Sequence, residues 1–133
     1  MKWGIVNPAE WERLYPRCRQ FLLAAIERSG GLETEMGMLR WINQGIRQPV
    51  VILDDDEHVI GLLVLEQDDD ALHVTSIAGE LPKGWRPEAW DFLTQMAGRT
   101  GSTAIQLRGR KGWGRYIKEW GFKPNGDYLR AEL

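Results

Sequence analysis

The chain reads as a single α/β (α+β) domain: a central mixed, mostly antiparallel sheet flanked by helices, in the order β-α-α-β-β-β-α-β-α-β-β. Three observations predict this. Apolar residues recur at helical spacing in some stretches and in short strand-like runs in others. Glycine and proline punctuate the change-overs. The middle strand runs are joined by turns too short for a crossover, so they must pair antiparallel. At 133 residues there is room for one hydrophobic core and not for two.

Lys2 to Val6 is a short first strand, and Asn7, Pro8 and Glu10 then supply an N-cap, a proline at N1 and an acid at N3. Trp11, Leu14, Tyr15, Cys18, Leu22, Ala25 and Ile26 follow at spacings of three and four, an apolar stripe that ends at Ser29-Gly30-Gly31. Pro16 removes a backbone donor inside that stripe, so a kink or a break into two helices is expected there. Thr34 caps a second helix in which Met38, Leu39, Ile42 and Ile46 share a face, with Pro49 marking its end.

Val50 to Leu53 and Val59 to Glu66 read as a hairpin across the turn Asp54 to His58, and a second acidic turn, Gln67 to Asp70, leads into Ala71 to Ile77. A loop with Pro82 and Gly84 precedes a helix from Pro87 to about Arg99, whose apolar face is Ala89, Leu93 and Ala97 beside Trp90 and Met96. The segment Ser102 to Phe122 organises the rest. Ala104, Ile105 and Leu107 form a strand, Gly109 and Gly112 allow turns, and Trp113, Ile117 and Trp120 share a helical face that stops at Gly121. Asn125-Gly126 is a type I′ hairpin signal between Phe122-Lys123 and Tyr128 to Ala131.

A hydrophobic content of 43% with 27% charged residues is that of a globular protein and excludes disorder and membrane classes. No run approaches the length of a membrane span, and MKWGIVNPAEWE lacks a signal-peptide core, so a cytoplasmic location is expected. Cys18 keeps register with apolar neighbours and is expected to be a buried thiol, not a nucleophile. His58 and His73 have no metal-ligand spacing, and the runs Asp54 to Asp56 and Asp68 to Asp70 lack the glycine and glutamate of a calcium loop, so no metal is expected. Arg108, Arg110, Lys111, Arg115 and Lys118 form a basic block that with Trp113 and Trp120 raises a nucleic-acid reading. Helical spacing puts both indoles on the buried face, which disfavours it, and the net charge of −2 gives no general pull toward phosphate.

The strand, short helix and Gly-Phe ending at Trp120-Gly121-Phe122, together with the element order, resemble the GCN5-related N-acetyltransferase (GNAT) superfamily along nearly the whole chain. The run Gly109-Arg110-Lys111-Gly112-Trp113 with Gly121-Phe122 also resembles a small acetyltransferase-like family of phage and prophage proteins. The resemblance implies acyl-CoA-dependent transfer to an amine, with acetyl-CoA as acyl donor and an unspecified amine acceptor. It also implies a fourth and fifth strand, near His73 and Ile105, that diverge so that the cofactor lies between the strand ending near Ala78 and the one beginning near Ser102. Ile77 and Ala78 are then the strand residues beside the pantetheine arm, and Lys83, Gly84, Trp85 and Arg86 the residues nearest the phosphates.

The superfamily's phosphate loop, R/Q-x-x-G-x-G/A, is degenerate in Ala78 to Pro87: only Gly84 sits near the helix start, Pro82 and Pro87 each lack an N–H, and Glu80 repels phosphate unless it points away. A plain solvated loop is the competing reading. The tyrosine that protonates the departing thiolate in family members corresponds in position to Ile117. Tyr116, one residue earlier, inherits that role only if the helix is turned; otherwise it packs at the helix edge. Glu66, Glu80 and His73 are the candidates for accepting the amine proton, against ordinary roles as strand-end charges and a half-buried polar residue. Alternatively, the same fold serves as a non-catalytic interaction or virion-associated protein, with a protein partner and an eroded cofactor loop.

Overall fold

The computed structural model describes residues 1–108 and 119–133. The described strands are β1 (Lys2–Ile5), β2 (Arg47–Leu53), β3 (Val59–Asp68), β4 (Ala71–Gly79), β5 (Ala104–Arg108), β6 (Lys123–Asn125) and β7 (Tyr128–Glu132). They form one mixed sheet in the order β1-β2-β3-β4-β5-β7-β6. The described helices are α1 (Pro8–Arg28), α2 (Glu35–Asn43) and α3 (Trp85–Thr100). β1 with β2, β5 with β7 and β6 with β7 are antiparallel, and β4 with β5 is parallel. The chain divides into two compact units, residues 1–65 with 76–82, and residues 66–75 with 83–133.

In the first unit α1 starts where its cap predicts. Asn7 Oδ1 accepts from the Glu10 amide at 2.8 Å, and Asn7 Nδ2 donates to the Glu10 carboxylate at 2.9 Å, so two polar groups at the helix start are satisfied reciprocally. The helix buries Trp11, Cys18, Phe21, Leu22 and Ala25, which pack with Met38 and Ile42 of α2 and with Val51, Leu62 and Val64 of the strands. Of the kink or break expected at Pro16, the break is absent, and α1 continues through it. Pro16 is exposed, and the buried residues on both sides of it hold the two halves against one core, which outweighs one lost backbone bond.

Thr34 caps α2 by accepting from the Gly37 amide at 3.0 Å. This helix ends at Asn43, not near Pro49, because Gly45 at φ 75 turns the chain. Ile46 is left exposed, and β2 begins at Arg47 with Pro49 inside it. The Pro49 carbonyl accepts from Val6, and the Val6 carbonyl, which Pro49 cannot serve for want of an N–H, accepts from the Gln48 side chain at 2.7 Å.

In the second unit α3 packs on β5 and buries Ala89, Leu93, Met96 and Ala97. Register puts Leu72, Ile105 and Ala131 in one row and Val74, Leu107 and Leu129 in the next, all buried on one sheet face. The alternate row on the other face is polar: His73, Gln106, Arg130 and Lys123 from four successive strands. The predicted helix after β5 falls mostly outside the described residues. Its last residues, Glu119 and Trp120, are helical, and Gly121 at φ 75 ends it. The final hairpin pairs Asn125 with Tyr128, so the loop is Gly126-Asp127 with its positive φ on Gly126, not the type I′ Asn125-Gly126 turn expected.

Candidate functional site

The parallel β4–β5 ladder decides where these strands can part. Ala71, Leu72, His73 and Val74 stand opposite Ala104, Ile105, Gln106 and Leu107. His73 and Ile105 are therefore in paired segments, which corrects the expectation that the strands diverge there. The reason is the crossover: a 16-residue helix spans roughly 24 Å and carries the chain back to the starting end of β4, so pairing begins at that end. Among the described residues no β4–β5 pair follows Val74–Leu107, while β4 continues to Gly79.

That continuing segment of β4 is shaped by close contact with β3. A Cβ on Gly79, whose φ is 156°, would lie 2.4 Å from the Ile60 carbonyl oxygen and 2.5 Å from the Gly61 Cα, so only glycine fits. The Glu80 amide donates to the same Ile60 carbonyl at 2.8 Å, extending β3 contact past the strand end. Of the residues proposed for the pantetheine arm, Ile77 is half-buried and Ala78 buried; Glu80 is exposed at the strand end.

The residues proposed for the phosphates cluster at the start of α3. Gly84 is the N-cap at φ 87, with no side-chain cap on the first turn, and a Cβ there would meet open space. Gly84 itself brings no capping side chain to the helix start, and a helix start is where an anion is taken. Pro87 removes one first-turn amide. Lys83 is exposed, whereas Arg86 donates to Glu119 at 3.0 Å. Trp85 stands edge-on to Trp120 at 6.4 Å between ring centroids, and Trp120 stacks on Trp90 at 5.3 Å with Phe122 alongside, so these indoles are packing groups.

Glu66 is half-buried on β3, and Tyr116 lies outside the described residues. Three features went unread in the sequence. Gln106, only 5% exposed, donates from Nε2 to Asp68 at 2.7 Å and contacts His73 Nδ1 at 3.1 Å. Its signal was available: one amide inside an apolar strand. Arg130 makes a two-pronged bond to Asp70, at 3.1 and 2.9 Å, and holds that carboxyl below its usual range. Glu35, at the start of α2, accepts from both Tyr15 and Arg19 of α1. Burial, then the Glu35 contact, pushes the Tyr15 hydroxyl up to about 12. Asp54, Asp56 and His58 bring ligand-type atoms within 4.8 Å of one another, but Asp54 Oδ1 already accepts from the Asp56 and His58 amides.

No protein-family model matches the chain, and no curated protein matches its sequence. Solved structures do. Tetrahymena GCN5 superposes with a TM-score of 0.71 at 12% identity, covering 100% of this chain and 96% of its own. Aminoglycoside 6′-acetyltransferase type Ii gives 0.70 at 14%, covering 99% and 97%. The chain has the GNAT fold. A GNAT family acetyltransferase from Brucella melitensis, solved with acetyl-CoA, gives 0.65 at 14%, covering 99% of this chain and 87% of its own. At these identities the likeness is one of GNAT architecture, so the chemistry must be argued from residues.

Proposed function

We propose that this protein is an acyl-CoA-dependent N-acetyltransferase acting as one catalytic domain in the cytoplasm, of the phage or prophage type that the Gly109–Trp113 run resembles. What supports this most directly is that, among the described residues, the β4–β5 pairs stop at Val74–Leu107 while β4 runs on through Ile77 and Ala78. Main-chain groups of that segment are the partners an extended pantetheine arm needs. The α3 amides after Gly84, with Lys83 beside them in sequence, suit a pyrophosphate. Acetyl-CoA supplies the acyl group as an activated thioester.

In the reaction the amine nitrogen attacks the thioester carbonyl, a C–N bond forms and the C–S bond breaks. The amine proton passes to a carboxylate, Glu66 or Glu80 being the candidates, and the thiolate takes a proton from Tyr116 or from water.

A second reading, a non-catalytic interaction protein, draws support from the Arg86–Glu119 pair and from Pro82 and Pro87. One cation is engaged by an acid, and two amides are missing from the loop. Acetyl-CoA incubated with a panel of primary amines separates the readings. Amine-dependent thiol release with an acetylated product is expected, and its absence with every amine would favour the second.

A further inference from the structure

The buried amide of Gln106 fixes a chemical choice in His73. Gln106 Nε2 lies 2.7 Å from Asp68 Oδ2, and an ionised carboxylate only accepts, so the nitrogen of the amide must be the atom on that side. The usual ambiguity between amide oxygen and nitrogen is thereby removed. The same nitrogen sits 3.1 Å from His73 Nδ1 and can only donate there as well. Its two hydrogens serve the two acceptors. Nδ1 must therefore present a lone pair, and in the neutral imidazole the proton is on Nε2.

Three strands hold this chain of contacts. Asp68 ends β3, His73 lies on β4 and Gln106 stands opposite it on β5. The His73 ring is further fixed edge-on against Tyr128 of β7 at 5.3 Å, and the Arg108 guanidinium lies over the same tyrosine ring at 5.5 Å.

We propose that Asp68 and Gln106 are positioning residues that lock His73 as the neutral Nε2–H tautomer, so that it is not a proton acceptor through Nδ1. Its one available lone pair is committed to the Gln106 amide, so an arriving amine proton has no site on it. If the transferase reading holds, on which this last step rests, the amine proton goes to a carboxylate or water and not to His73.

The chain has two histidines, which makes the test direct. The full-length protein labelled with nitrogen-15 in histidine gives a two-bond proton–nitrogen spectrum that distinguishes tautomers, with His58→Gln assigning the signals. At pH 8 His73 is expected to show the Nε2–H pattern. Gln106→Glu replaces the donor with an acceptor and should move the proton to Nδ1. Asp68→Ala, at an exposed position, frees the amide to flip and should leave the two tautomers mixed. An Nδ1–H pattern in the unmodified protein, or an Asp68→Ala spectrum identical to it, would overturn the proposal. These spectra need neither cofactor nor turnover, so failure of the transferase reading leaves them interpretable. Where turnover is measurable, His73→Gln should keep the pH profile of kcat; loss of the profile's basic group would count against the assignment.

Discussion

Gly79 carries the sharpest consequence of any single residue. A methyl group there would sit 2.4 Å from one backbone atom of β3 and 2.5 Å from another, and no side-chain rotation relieves a clash with main chain. Gly79→Ala should cost about 3 kcal/mol, the upper range for forcing volume into a packed site. The urea midpoint should fall by more than about 1 M. Titration of Tyr15 gives a second consequence. Burial, and then the hydrogen bond its hydroxyl donates to Glu35, raise its pKa from 10.0 to about 12, so between those values the folded chain keeps a proton that the unfolded chain has released. Stability from this group is complete below pH 10 and is lost as pH rises toward 12. Cys18, raised by burial to about 11, adds a loss of the same sign from pH 9 upward. Urea midpoints between pH 9 and 12 should fall, less steeply in Tyr15→Phe. Neither residue's role was legible in the sequence, because Glu35 is 20 positions from Tyr15 and the β3 backbone lies far along the chain from Gly79.

Among the elements, those with a local cause were legible. Asn7, Pro8 and Glu10 announce α1, and Thr34 announces α2, because a cap is a contact between residues three apart. Asn7→Ala should remove about 1 kcal/mol and a few degrees of melting temperature, with α1 otherwise intact. Elements decided by distant packing were misjudged. Pro16 and Pro49 are helix and strand breakers by local cost, about 3 kcal/mol inside a helix. Each residue buried around Pro16 recovers roughly 1.5–3 kcal/mol, and beside Pro49 the Gln48 side chain supplies the missing donor to the Val6 carbonyl. The last hairpin slipped by one residue for the same reason: burying Leu129 and Ala131 beside Leu107 and Ile105 sets the register, and the Asn-Gly preference yields to it.

At the scale of the whole molecule, element order read the fold where motif reading faltered. The phosphate loop lacks its glycine spacing, yet the order of the described strands and helices was implied by periodicity. The polar face was not, since its bonds join residues 33 to 60 positions apart, Gln106 to His73 and Arg130 to Asp70 among them. No described helix is long and apolar enough to cross a membrane. The central claim is the proposal that this chain binds coenzyme A, and a melting curve taken across a coenzyme A series tests it. Ligand at a hundred times its dissociation constant should add about 2.7 kcal/mol to stability, so the melting temperature should climb steadily with the logarithm of concentration. A melting temperature that stays put up to millimolar coenzyme A would contradict it.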